Sequence, residues 1–106
     1  MMPKEAFYHA FNIIQGRWLE GESIILTDPK WSYRYVLHII KDRWPEGEPI
    51  IVTHPEWACR YAINIIKDRW PEAESTIFTN AQWAYRYCEH FGIKSPKAIN
   101  WSKEGF

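Results

Sequence analysis

Residues 57–70 read WACRYAINIIKDRW, and this stretch recurs along the chain with small changes. Residues 31–44 read WSYRYVLHIIKDRW, and residues 83–91 read WAYRYCEHF before the pattern stops. The copies begin at residues 31, 57 and 83, so each starts 26 residues after the last. Tandem repeats of this size stack into arrays in which each copy packs on its neighbours. The repeat therefore predicts architecture much better than function.

Four copies and a tail account for almost the whole chain. The copies span residues 5–30, 31–56, 57–82 and 83–94, and a C-terminal cap spans residues 95–106. The first copy is degenerate, because Glu5 stands where the later copies carry tryptophan. Terminal copies often drift in this way, since their outer face meets water. We expect a single repeat domain over residues 1–106, with Ile99 and Trp101 covering the open end.

The apolar residues of the second copy have a helical spacing. They advance by four, one, three, one and four positions, and they are Trp31, Tyr35, Val36, Ile39, Ile40 and Trp44. Strict alternation, which is typical of a half-buried strand, is absent. Prolines follow Trp44 and Trp70, and the residue before a proline leaves helical geometry. We therefore expect each long helix to continue as far as this tryptophan.

Prolines and polar side chains also mark the starts of the long helices. Pro29 and Pro55 suit the first helical position, and Asn80 offers a side-chain cap at the place of the residue before them. Thr53 and Thr79 match a capping box that begins one residue earlier. The sequence leaves these two registers open.

The second half of each copy, PEGEPIIVT at residues 45–53, is shorter and more ambiguous. Pro49 disfavours a long helix here, so we expect a turn followed by one or two helical turns. Residues 50–52 also suit a strand, as in leucine-rich repeats. The favoured fold class is all-α: an α-solenoid of three to four 26-residue repeats, each a helix, a turn and a short helix.

Composition limits the classes of protein that fit. The 13 basic and 13 acidic residues balance, which disfavours a generally basic nucleic-acid binder. The two cysteines, Cys59 and Cys88, stand at unrelated repeat positions, so we expect free thiols in a reducing compartment. No apolar run is long enough for a signal peptide or a bilayer span. These features predict a cytoplasmic protein with no membrane partner.

Paired carboxylates recur with an arginine in three copies. The residues are Glu20, Glu22, Glu46, Glu48, Glu72 and Glu74, with Arg17, Arg43 and Arg69. Paired acids suit hydrolysis or a cation, but a group present in every copy more often serves the construction of the repeat. We expect Arg43 to pair with a glutamate of its own or the adjacent copy. Catalysis needs one unique constellation, so we expect no enzyme.

Tryptophans and arginines recur three residues apart on the long helices. The predicted partner-binding residues are Trp31, Arg34, Trp57, Arg60, Trp83 and Arg86, which suit the anchors of a protein interface. The alternative is a nucleic-acid stripe of Arg34, Lys41, Arg60, Lys67 and Arg86. In this stripe Lys41 and Lys67 would lie two turns beyond the arginines on the same face of the long helix. Asp42 and Asp68 would weaken a phosphate track. The plain structural interpretation is a solvated face on which arginine lies over tryptophan.

Metal and cofactor sites are not expected. The four histidines form no pair at helical spacing, and glycine-rich phosphate loops and nucleophile motifs are absent. We predict no metal ligands, no cofactor and no catalytic residues.

The unit W-x-x-R-Y-x-x-x-I-I-K-D-R-W-P-E-x-E resembles short tandem "RWPE" repeats of small bacterial and bacteriophage proteins. The resemblance covers residues 5–91, although Leu19 replaces the proline in the first copy and the fourth copy lacks R-W-P-E. It implies a helical repeat and a phage or mobile-element source, and it implies no catalytic residues.

Three functions follow as hypotheses. The first is a non-enzymatic module that binds another protein, such as a phage protein that blocks a host or defence protein. The second is nucleic-acid binding through the basic stripe. The third is a structural protein that assembles with its own copies.

Overall fold

The structure is a computed structural model, and it describes residues 1–94. Within these residues all regular structure is helical, and no strand occurs. The all-α prediction is confirmed, and the strand alternative for the second half of each copy is wrong. The cap expected at Ile99 and Trp101 lies outside the described residues.

Long and short helices alternate along the described chain. They are α1 (Pro3–His9), α2 (Leu19–Ile25), α3 (Pro29–Tyr35), α4 (Glu48–Ile51), α5 (Pro55–Tyr61), α6 (Pro71–Ile77) and α7 (Ala81–Phe91). A π-helical turn extends α1 over Ala10–Ile14, α3 over Val36–Ile40 and α5 over Ala62–Ile66. Each copy therefore has a long helix, and the first three copies add a short one, as expected.

Side-chain caps decide the register of the helix starts. An oxygen of Asp28 accepts a hydrogen bond from the Trp31 amide at 2.9 Å, and Asn80 Oδ1 accepts one from the Trp83 amide at 3.1 Å. His54 caps α5 through Nδ1, which accepts from the Glu56 amide at 3.3 Å. The caps thus lie at Asp28, His54 and Asn80, and not one residue earlier at the threonines.

The long helices end four residues before the tryptophan that was expected to end them. Lys41 and Lys67 take a left-handed conformation with φ of 61°, and each amide donates to the carbonyl five residues back at 2.7 Å. Gln15 ends the long helix of the first copy in the same way with φ of 58°, and Gly92 ends α7 with φ of 66°. The left-handed residue turns the chain out of the helix.

The expectation that the helix continues through Trp44 is therefore wrong. Trp44 is 1% exposed and enters the core from the connecting segment, and Trp70 caps the start of α6. Trp44 follows Ile40 by four residues, which is also the spacing of two residues on one helix face. Here the chain turns between them, so the spacing does not indicate a continuous helix.

The helices form two compact units, Met1–Ile51 and Val52–Phe106. In the first unit, α1 packs on α2 and α3, and α3 packs on α4. In the second unit, α5 packs on α6 and α7. The first unit thus pairs the long helices of copies one and two, and the second pairs those of copies three and four. The single domain stays a prediction.

Buried tyrosine, tryptophan and alanine side chains make the core of each unit. In the first unit, the rings of Tyr35 and Trp44 pack with centroids 5.2 Å apart. In the second, Tyr61 and Trp70 pack at 5.0 Å. Fully buried alanines allow the long helices to approach closely; they are Ala6 and Ala10 in the first unit and Ala58, Ala62 and Ala84 in the second.

Candidate functional site

In the second unit, tryptophan and arginine alternate across α5 and α7. The Arg60 guanidinium carbon lies 5.5 Å from the ring centroid of Trp57 and 5.1 Å from that of Trp83. Arg86 lies 5.2 Å from the same Trp83 ring. We call these four residues the tryptophan–arginine ladder. A cation over an indole is stabilised by about 0.5–1 kcal/mol at exposed sites, so these contacts favour the observed positions of the arginines.

The tryptophan–arginine ladder is partly exposed to solvent. Both tryptophans are half-buried, and Arg86 is exposed. The Arg60 side chain is 40% exposed, and its Nε donates to Glu56 Oε2 at 3.0 Å. The interpretation of arginine lying on tryptophan is confirmed, and it leaves one edge of each group accessible.

Trp31 is the centre of a different arrangement in the first unit. The Arg34 guanidinium carbon and the Lys30 Nζ each lie 5.3 Å from the Trp31 ring centroid. The ring also contacts Phe7 at 5.4 Å and Tyr8 at 5.9 Å between centroids. We call these five residues the Trp31 cluster. The structure thus joins each predicted tryptophan to its arginine.

The two lysines of the alternative stripe do not lie on the long helices. Lys41 and Lys67 follow the helix ends, where their left-handed backbone ends the π-helical turns. Lys41 lines a surface depression with Phe11, Gln15, Gly16, His38 and Ile39, a set that does not include Arg34. The expectation that the lysines continue the arginine face along one helix is wrong, because the helix ends before it reaches them.

A partly buried polar cluster joins consecutive copies in each unit. In the first unit, Arg17 donates from Nε and Nη2 to the two oxygens of Glu22, each at 2.9 Å. The Tyr35 hydroxyl donates to Glu22 Oε2 at 2.7 Å and accepts from the Trp18 amide at 2.8 Å. We call this set the tyrosine clasp, since one hydroxyl of α3 satisfies two groups of the preceding copy.

The second unit repeats the clasp with equivalent residues. Arg69 donates to both oxygens of Glu74 at 3.0 Å, and the Tyr87 hydroxyl donates to Glu74 Oε2 at 2.7 Å. The Trp70 amide donates to that hydroxyl at 2.8 Å. Burial and the bond to the carboxylate raise the pKa of Tyr35 and of Tyr87 to about 12. The hydrogen bonds from Arg69 and Tyr87 hold the pKa of Glu74 below its ordinary value.

Bonds from arginine explain the second carboxylate of each repeated pair, which is Glu22, Glu48 or Glu74. The predicted arginine–glutamate pair forms within each of the first three copies, since Arg43 also donates to both oxygens of Glu48 at 2.9 Å. The tyrosine in the clasp was missed by the sequence analysis. The sequence does contain a signal for it. Each R-W-x-E-x-E segment is followed by a copy whose first tryptophan has a tyrosine four residues later.

Both cysteines are buried free thiols. Burial raises the pKa of Cys59 to about 11 and also raises the pKa of Cys88. The Cys59 thiol points to the Trp83 carbonyl, with Sγ and O 3.7 Å apart. Each thiol is therefore protonated at neutral pH, when a nucleophilic cysteine needs the thiolate.

No protein-family model, curated protein or solved structure matches this chain. Its candidate site therefore depends on the geometry alone. Within residues 1–94, no group of three or more His, Cys, Asp or Glu side chains is placed to hold a metal ion. None of the helices in that same part of the chain is long and apolar enough to cross a membrane.

Among residues 1–94, exposed apolar side chains concentrate in the first copy, which the sequence analysis did not anticipate. They include Tyr8 (42% exposed), Phe11 (46%), Ile13 (68%), Ile14 (43%) and Leu19 (70%). Tyr8 and Phe11 lie one turn apart on the long helix, and Tyr8 belongs to the Trp31 cluster. The accessible edge of that cluster therefore continues into an apolar surface.

Proposed function

We propose that this chain is a non-enzymatic repeat module that binds another protein through Trp31, Arg34, Trp57, Arg60, Trp83 and Arg86. The observation that carries the proposal is the position of Arg60, held between Trp57 and Trp83 at 5.5 and 5.1 Å. Tryptophan and arginine dominate the binding energy of protein interfaces. Side chains already fixed in place lose little entropy when a partner binds.

The repeated surface is the second support for the proposal. In each unit, a tryptophan of the long helix lies under an arginine three residues later, on elements held by the tyrosine clasp. Equivalent groups on equivalent helices are what a stacked repeat presents to a partner. We include in the proposal that the copies form an α-solenoid.

The charges favour a protein over a nucleic acid. Arg60 is already paired with Glu56, and the chain has zero net charge. Binding to a nucleic-acid backbone relies on many free cations that replace counterions. Lys41 also lies in a separate depression.

The source and setting belong to the same proposal. The resemblance to bacterial and bacteriophage repeats supports a cytoplasmic phage or mobile-element protein that blocks a host or defence protein. The buried free thiols are in keeping with a reducing compartment.

Capture of a partner from a host lysate tests the proposal. The tagged chain is compared with Trp57→Ala, Trp83→Ala and Arg86→Ala, each first shown to be folded by circular dichroism. Glu72→Gln is the matched control, because Glu72 is exposed and lies outside the ladder. We expect the parent and Glu72→Gln to retain one protein after nuclease treatment, and the ladder variants to lose it.

Two results would contradict the proposal. Equal retention by all folded variants would remove the ladder from the interface. Loss of the captured material on nuclease treatment would favour the basic stripe instead. Arg86→Ala keeps the test decisive if a tryptophan variant fails to fold, since Arg86 is exposed.

A further inference from the structure

The repeated arginines differ in the residue one helical turn before them. Arg60 follows Glu56 by four positions, and the two side chains form an ion pair at 3.0 Å. At the equivalent position, Arg34 follows Lys30 and Arg86 follows Gln82. Among the three, only Arg60 follows a carboxylate by one helical turn. Helix α7 also carries Glu89 three residues after Arg86, whereas residues 29–40 carry no carboxylate in the helix of Arg34.

Two cations share one indole in the Trp31 cluster. Lys30 Nζ and the Arg34 guanidinium carbon each lie 5.3 Å from the Trp31 ring centroid. Like charges at this helical spacing repel by about 0.2–0.5 kcal/mol. Asp28 does not neutralise them by pairing, since the side-chain bond observed for it goes to the Trp31 amide at 2.9 Å. A carboxylate from outside would relieve the repulsion.

Arg34 also has an unsatisfied donor. Its Nε is buried and has no hydrogen-bond partner in the part of the chain that the structure describes. A buried donor without an acceptor is costly, and more so on a charged group. Arg17 and Arg43 show the alternative, because each uses Nε and Nη2 together to bind one glutamate at 2.9 Å.

From these observations we infer that the Trp31 cluster binds a carboxylate side chain of the partner protein, carried on a segment with an apolar neighbour. This inference rests on the proposed protein-binding function and names the chemistry of the partner. The carboxylate pairs with Arg34 and Lys30, and the apolar neighbour packs on exposed Tyr8 and Phe11. Bidentate arginine–carboxylate pairs are among the stronger charge-assisted hydrogen bonds.

The test titrates the full chain with a Glu-Glu-Leu-Glu-Glu-Leu peptide and follows the arginine Nε–Hε signals by NMR. The Gln-Gln-Leu-Gln-Gln-Leu peptide controls for the carboxylates, and an oligothymidine of similar length presents phosphates instead. We expect the acidic peptide to shift the Arg34 signal and the glutamine peptide to leave it unchanged.

The repeat supplies matched variants. Lys30→Glu places a carboxylate four residues before Arg34, as Glu56 stands before Arg60, and it should weaken binding of the acidic peptide about tenfold or more. Glu56→Lys gives Arg60 the two-cation arrangement of the Trp31 cluster, and it should create a peptide-dependent shift of the Arg60 signal. Both substitutions replace side chains that are not fully buried.

Three outcomes would overturn the inference: no Arg34 shift in the folded parent, unchanged affinity of Lys30→Glu, or tighter binding of oligothymidine than of the acidic peptide. These results are independent of the lysate capture. If capture depends on the ladder while the acidic peptide fails, the protein-binding function stands and the acidic partner falls. If no ladder-dependent capture occurs but the peptide shifts Arg34 in a Lys30-dependent way, the carboxylate site stands without the proposed function.

Discussion

A single tyrosine hydroxyl joins two copies of the repeat in each unit. Tyr87 is fully buried, and its hydroxyl donates to Glu74 and accepts from the Trp70 amide. Without the Tyr87 hydroxyl, the Trp70 amide would lose its acceptor and the Glu74 carboxylate would lose one donor. This one oxygen therefore links α7 to two groups of the preceding copy.

Replacement of Tyr87 by phenylalanine tests this role. We expect Tyr87→Phe to lower the free energy of unfolding by about 1–3 kcal/mol, because the buried Trp70 amide and the half-buried Glu74 carboxylate each lose a hydrogen-bond partner. Tyr85→Phe is the matched control, since Tyr85 is exposed on the same helix and should change the stability by less than about 0.5 kcal/mol. Urea unfolding measures both, and equal effects would contradict the role assigned to Tyr87.

The clasp also predicts how stability changes with pH. The pKa of Tyr35 and of Tyr87 is raised from 10.0 to about 12, so folding favours the protonated phenol. This stabilisation is complete below pH 10 and is lost as the pH rises from 10 to about 12. The lowered pKa of Glu74 acts at the opposite end, where stabilisation is lost as the pH falls below 4.5.

Urea unfolding across pH checks these signs. The parent should lose stability between pH 10 and 12, and Tyr87→Phe should lose less of it over that interval because one of the two shifted phenols is gone. A parent and variant with the same alkaline slope would show that Tyr87 does not contribute.

At the scale of elements, the helix ends depend on three non-glycine residues with positive φ. Gln15, Lys41 and Lys67 have φ of 58°, 61° and 61°, whereas the fourth copy uses Gly92. A side chain with a Cβ atom pays about 1–2 kcal/mol in this region, and glycine does not. The lysines offset part of this cost by placing a positive charge at a helix C-terminus.

Substitution at residue 67 separates the backbone effect from the charge. We expect Lys67→Gly to be more stable than Lys67→Ala by about 1 kcal/mol, because both lose the charge and only glycine loses the strain. Thermal and urea unfolding of the two variants make the comparison. Greater stability of the alanine variant would contradict the left-handed helix end.

At the scale of the whole molecule, the two copies joined by a tyrosine clasp contribute different groups to it. Each clasp needs a tyrosine from the later copy and an arginine–glutamate pair from the earlier one. The first copy carries His9 at the tyrosine position, and the fourth copy lacks the R-W-P-E segment that would supply the acceptor. The first copy therefore lacks the hydroxyl, and the fourth copy lacks the acceptor, that a further clasp would need.

Sedimentation velocity tests the consequence for self-assembly. We expect the sedimentation coefficient to stay constant over a wide range of protein concentration, because end-to-end stacking would not form a clasp. His9→Tyr should also leave the coefficient constant, because the fourth copy still lacks the arginine–glutamate pair that a clasp needs. A coefficient that rises steadily for the parent would instead support the self-assembling alternative.

Much of the local structure was predictable because its causes lie close together in the chain. The helical spacing of the long helices, the cap at Asn80 and the Arg43–Glu48 pair each involve residues at most five positions apart. Periodicity, capping and short-range ion pairing act over this distance, and the sequence displays them directly. The 26-residue repeat then implies that each solution recurs in the next copy.

The remaining features were decided by tertiary contacts. Trp44 lies in the core beyond the helix end, the hydroxyl of Tyr35 bonds to residues 13 and 17 positions away, and Lys30 and Arg34 meet over one ring that Phe7 and Tyr8 also contact. Spacing cannot distinguish a buried residue on a helix from one that follows a turn. By itself, the sequence determined a helical repeat with its caps and ion pairs, and it placed Lys30 instead of a carboxylate one turn before Arg34. Only packing between elements decided where each long helix stops, which hydroxyl joins the copies, and which ring the Lys30 and Arg34 cations share.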